Sequence, residues 1–161
     1  ELLYITYSLI ANQKGQPLIQ RWLGIRFING KFVGIEDLAS VLKRTGLTQG
    51  IPNAGKEPDN LSQLKTFLPQ VVEQTKQQMT QCRKDFEVEN RPKLIAQLDK
   101  LKALDLFLEN SAQNATIKDR RHKDETQAIV SRFEEYRSWI KETMNTEDQP
   151  YIQIIAAIVQ I

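Results

Sequence analysis

The feature that most constrains this chain is one long helical pattern over residues 69–144, set between apolar, strand-like segments on both sides. Val72, Thr75, Met79, Cys82 and Phe86 recur at spacings of three and four, which predicts one apolar seam of coiled-coil type. Leu94, Leu98, Leu101, Leu104 and Leu108 carry a seam onward. Ile129, Phe133, Tyr136 and Ile140 mark a return helix, and the turn between the two helices is expected at residues 110–114. Asn60 with Gln63 resembles a capping box that starts a helix, interrupted before Pro69. Asn90-Arg91-Pro92 predicts a kink or stagger, because Pro92 removes a backbone donor.

The flanks read differently. Residues 2–10, with Tyr4, Ile5, Thr6 and Tyr7, have the β-branched and aromatic content of a strand. A turn at residues 12–17 contains Gly15 and Pro17, and a second strand follows at 18–28. Asn29-Gly30 suits a type I′ hairpin turn, in which both central residues need positive φ, with Lys31-Phe32-Val33 returning as a short strand. A helix is expected at residues 36–45, with Glu36 and Asp37 in its first turn, Lys43 and Arg44 in its last, and Gly46 just beyond. Residues 46–60 read as a loop. Gln149-Pro150 ends the return helix, and residues 151–161 read as a strand buried on both faces, for which 2–10 is the best partner. The fold class is therefore α+β. A small antiparallel β base with a short helix (residues 1–60 and 150–161) carries a long, protruding antiparallel helical hairpin (61–149). Both ends fall inside strands, which reads as a piece of a longer protein.

Composition closes several routes. A net charge of +2 is too small for nucleic-acid binding by bulk electrostatics, although a local basic patch is allowed. Cys82 is the single cysteine, so the chain builds no internal disulfide or cysteine metal site, and a reducing, cytoplasmic setting is expected. The apolar run at 151–161 is too short to span a bilayer, so no membrane role is expected.

Candidate chemistry is sparse. Residues 50–57 nearly match a phosphate-cradling loop with Lys56, but Glu57 stands where a hydroxyl should hold Mg²⁺, and Pro58 follows where a helix should begin. His122, the single histidine, lies in a charged stretch without a nominated catalytic partner. Cys82 fits a small core residue better than a reactive thiol. Arg120, Arg121 and Lys123, with Lys118, make a basic cluster near the hairpin tip. It is either a solvated face, since Asp119, Asp124 and Glu125 are interleaved, or a phosphate contact. Arg21, Arg26 and Lys31, with Trp22 and Phe27, are a second nucleic-acid candidate, set against the plain alternation of two strand faces. No catalytic residue, metal ligand or cofactor site is expected.

The order of these features resembles the C-terminal region of large bacterial Snf-type helicases, superfamily-two members that include RNA-polymerase-associated and phage-defence proteins. The likeness lies in the strand pair 2–10 and 18–27, the short helix 35–47, and the charged coiled coil. It is most marked at residues 91–109, with Leu94, Leu98, Leu101 and Phe107 spaced by Lys and Asp. Lys118-Asp119-Arg120-Arg121 and the closing apolar run 150–159 complete it. The resemblance implies a parent that is an ATP-dependent translocase on double-stranded DNA, with its motor motifs upstream. This chain would then be a non-catalytic accessory module, without cofactor, that contacts DNA, the motor domains or a partner protein. A free-standing coiled-coil interaction module is the alternative. A small enzyme with an unfamiliar site is a third class, which no residue constellation supports.

Overall fold

The computed structural model describes residues 1–50, 61–114 and 120–159, with backbone only at 61, 63, 108, 109, 111–114 and 120–126. The architecture is α+β. Strand β1 (Leu2–Ala11) is followed by β2 (Pro17–Ile28), β3 (Lys31–Asp37), helix α1 (Leu38–Thr45), a 3-10 turn (Leu47–Gln49), helix α2 (Leu61–Asn114), helix α3 (Arg120–Met144) and β4 (Tyr151–Val159). The chain divides into two compact units. One holds Glu1–Ala11, Pro17–Arg83 and Glu147–Ile161; the other holds Asn12–Gln16 and Lys84–Thr146.

The first unit is built on a four-stranded antiparallel sheet in the order β3-β2-β1-β4. Asn29 and Gly30 form the β2–β3 turn with φ of 49° and 75°, as a type I′ turn requires. β1 lies inside the sheet and is covered on both faces, which explains its nearly continuous burial. On one face Tyr4, Leu23, Ile25 and Phe27 pack with Val71 of α2, joined by Phe67 and Leu68. The Tyr4 hydroxyl donates to the Leu64 carbonyl at 2.6 Å, which satisfies the one polar atom of that ring in its buried setting. On the other face Leu3 and Ile5 pack with Val41 of α1. Gly24 makes this approach feasible, because a Cβ there would lie 2.2 Å from Val41 Cγ2.

Several expectations are corrected. Strand β3 runs on through Glu36 and Asp37, and α1 starts at Leu38. Asp37 is its N-cap, accepting from the Ser40 N–H at 2.7 Å, while Glu36 binds Arg44 through two nitrogens at 2.9 and 3.1 Å. A capping aspartate and a strand glutamate satisfy the same acidic pair that first-turn placement would use. β4 pairs with β1 as expected, but it is an edge strand with alternate residues exposed, not one buried on both faces. A bulge sets Ile5 against Ala156 and Thr6 against Ile154, leaving Ile155 unpaired. The extra residue reverses the facing, so Ile154 joins the Tyr4 cluster while Ala156 and Ile158 join the Leu3 cluster.

Helix α2 passes through both Pro69 and Pro92 without a break. Both prolines are exposed, so the carbonyls that lose their i+4 donors stand on the wet side of the helix, where water can serve them. The buried seam runs through Val71, Thr75 and Met79, and Val72 is exposed. Thr75 donates its hydroxyl back to the Val71 carbonyl at 2.8 Å, which is how a buried hydroxyl is tolerated in that seam.

In the second unit, Leu94, Leu98 and Leu101 are half-buried, whereas Leu104 is exposed and Asp105 takes its place, 3.6 Å from Arg137 of α3. The expected turn at 110–114 is still helix. On α3, Ile140 is buried and Phe133 half-buried, but Ile129 and Tyr136 are exposed. Asn12 is fully buried in this unit. Its Oδ1 accepts from the N–H groups of Lys14 and Gln16, and its Nδ2 donates to the Thr143 carbonyl at 3.1 Å, near the end of α3. One side chain thus holds the 12–16 turn and serves a helix-end carbonyl that lacks an internal donor.

Candidate interaction surfaces

The basic set on the strands is split by the pleat. Register places Trp22 opposite Tyr7 and Arg26 opposite Leu3 on one face, with Arg21 opposite Ser8 on the other. Phe27 is buried in the core. Arg26 lies 3.4 Å from Glu36 and 3.8 Å from Glu1, so its charge is answered within the chain. The alternating-face reading therefore holds for this segment, and no cationic row with interleaved aromatics forms on it. What remains is an uncharged aromatic pair, Tyr7 and Trp22, with ring centroids 5.0 Å apart.

The basic cluster expected at the hairpin tip falls in the first turn of α3. The backbone of Arg120, Arg121 and Lys123 is helical, and their side chains, like that of His122, lie outside the described residues. Lys118, Asn60 with its capping box, and residues 51–57 of the phosphate-loop-like segment also lie outside them. Gly50, which opens that segment, is left-handed with φ of 67°. Cys82 is a free, partly buried thiol on α2.

The second unit carries a surface that the helical periodicity did not single out. Tyr136 and Trp139 of α3 stack nearly parallel, with centroids 5.7 Å apart and planes 9° apart, and both are about half exposed. Lys14, brought in by the Asn12 turn, lies 6.0 Å from the Trp139 ring centre and 3.3 Å from Glu142. The Ser138 hydroxyl donates to Glu142 at 2.9 Å, and that bond first, then Lys14, holds the Glu142 carboxyl below its usual range. Arg132 stands one turn before Tyr136 and lines the same shallow groove. Stacked rings beside a guanidinium can lie against a planar group or an apolar side chain, and the arginine can answer one phosphate or carboxylate. Sequence periodicity assigned Tyr136 to the seam and had no means of bringing Lys14 to Trp139, more than a hundred residues away.

A third surface lies on α2. Val88, Arg91, Pro92, Ile95, Ala96 and Asp99 line one open groove, at helical spacings of three and four. Val88 is 75% exposed and Ile95 49%. This stripe is separate from the half-buried leucines of the same helix, so α2 has two apolar faces along this stretch.

Among the described residues, no group of three or more His, Cys, Asp or Glu side chains is arranged to hold a metal ion. No helix among them is long and apolar enough to cross a membrane. These surfaces are of the kind that bind by stacking and apolar contact. No protein-family model, characterised protein or solved structure matches the chain.

Proposed function

We propose that this chain is a non-catalytic accessory module of an ATP-dependent translocase acting on double-stranded DNA, contacting DNA, the motor or a partner protein. The reading rests on the sequence resemblance to Snf-type helicases. The observation that carries it is the order of elements. β4 returns across α2 and α3 to pair with β1, from Leu2 opposite Val159 to Leu9 opposite Tyr151. In sequence α2 and α3 therefore stand between β3 and β4, the two edge strands of one sheet, and leave its pairing uninterrupted.

The second reading, a coiled-coil interaction module that stands alone, is favoured by the exposed apolar stripe on α2. Binding of the chain to a duplex, followed by fluorescence anisotropy against salt, separates the two. The module reading expects weak binding, indifferent to sequence, that falls steeply with salt. Changing Arg120, Arg121 and Lys123 together to Gln should lower the salt slope by up to about three phosphate contacts. Helix content should be unchanged. Absence of binding, or binding that the triple change leaves as it was, removes the DNA role of these residues and favours the protein-interaction reading.

A further inference from the structure

We propose that the exposed stripe of α2 is a self-association surface, on which a second copy of this chain docks antiparallel about a two-fold axis at Ile95. Three observations on that stripe carry the proposal, and none depends on the translocase reading.

The first is apolar and exposed. Val88 and Ile95 stand out of the helix, with Pro92 between them and Ala96 next to Ile95. Isolated exposed aliphatic residues need no explanation, but a row of them on one helix face is a docking stripe.

The second is charge. Arg91 and Asp99 line the same groove, and each stands four residues from Ile95, in opposite directions. Both are exposed, and no ion pair or hydrogen bond engages either among the described residues. When two such helices run antiparallel with Ile95 over Ile95, Arg91 of each copy falls level with Asp99 of the other. Both opposite-charge pairs then form together, as an isologous interface demands. In a parallel arrangement Arg91 meets Arg91 and Asp99 meets Asp99, which is repulsive. Charge thus selects the occupant, its direction and its register.

The third is a backbone acceptor. Pro92 has no N–H, so the Val88 carbonyl lacks its i+4 donor. In the same register Lys102 of the second copy arrives at the level of Val88, with an exposed ammonium able to donate there.

The test is sedimentation equilibrium of the whole 161-residue chain. The expected result is a reversible monomer–dimer equilibrium that weakens as salt rises. Ile95→Asp should abolish the dimer. Arg91→Glu sets like charges together at two places and should weaken the dimer roughly ten-fold or more. The exchange Arg91→Glu with Asp99→Arg in one chain should restore it to within a few-fold of the original. Far-ultraviolet circular dichroism should stay the same in all three, since these side chains are exposed. The proposal is overturned by a chain that remains monomeric at its solubility limit. It is equally overturned by a dimer that survives Ile95→Asp, which would place the contact elsewhere, such as the β4 edge. A failure of the charge exchange to restore association would overturn the register.

Discussion

Gly24 is where the face of the sheet that carries Leu3 and packs against Val41 leaves no space for a side chain. A methyl group at this position would lie 2.2 Å from Val41 Cγ2 and 3.2 Å from Leu3 Cδ1. Val41 is fully buried, so moving its methyl group aside would disturb the packing around it. Gly24→Ala is therefore expected to destabilise the fold by about 3 kcal/mol, the upper end of the usual cost of overpacking. Val41→Ala in the same chain should recover part of that loss, because the two changes act on one contact. Denaturant unfolding of the two single variants and the double variant checks this; simple additivity would contradict it. At this scale the sequence was legible where a backbone angle dictates the residue. Asn29-Gly30 and the left-handed Gly46 were both anticipated from local chemistry. Gly24 was not, because its reason is a contact with a helix 17 residues further on. Asn12 is similar: it reads as a turn residue, and its bond to Thr143 lies 131 residues away.

Elements were legible in kind and less so in boundary and phase. Residue 71 or residue 72 can begin a three-four pattern that runs through Thr75 and Met79, so periodicity alone left the phase of the α2 seam open. The sheet decides it. Val71 enters the cluster of Tyr4, Ile25 and Phe27, while Val72 points away. Val71→Ala is expected to cost about 2 kcal/mol, near the transfer free energy of a buried valine. Val72→Ala should stay within about 0.5 kcal/mol. Equal losses in the two variants, measured by denaturant titration, would mean that the seam is misplaced. The prolines of α2 illustrate the limit of local rules. Proline reads as a breaker, yet Pro69 and Pro92 both sit on exposed positions of one continuous helix. β1 and β4 illustrate another. Both are uncharged and mostly apolar, broken only by Thr6 and Ser8 in β1 and Gln153 in β4, and composition could not tell which is interior. Sheet order puts β1 inside and β4 at the edge, where the bulge at Ile155 interrupts regular pairing.

At the scale of the whole molecule, the α+β class and the meeting of the first and last strands were legible. They follow from two uncharged, β-rich segments that each need a partner. The surfaces were not. The Lys14–Trp139 contact and the register of β4 depend on tertiary placement that a pattern of apolar residues does not encode. Because β1 has β2 on one side and β4 on the other, the sheet depends on both ends of the chain. Deleting residues 151–161 turns β1 into an edge and uncovers Leu3 and Ile5, which pack with Ala156 and Ile158. That truncation should lose its cooperative thermal transition or aggregate. A truncated chain that melts as sharply and as high as the intact one would contradict the closure of the sheet. At this scale the proposed function makes its own demand, that a motor be encoded with this chain. The most direct measurement is the sequence of the complete reading frame that encodes this chain. The account predicts superfamily-two motor motifs N-terminal to it, including a phosphate-binding loop and an Asp-Glu-x-His box. A reading frame that starts next to Glu1 and encodes no motor would contradict it.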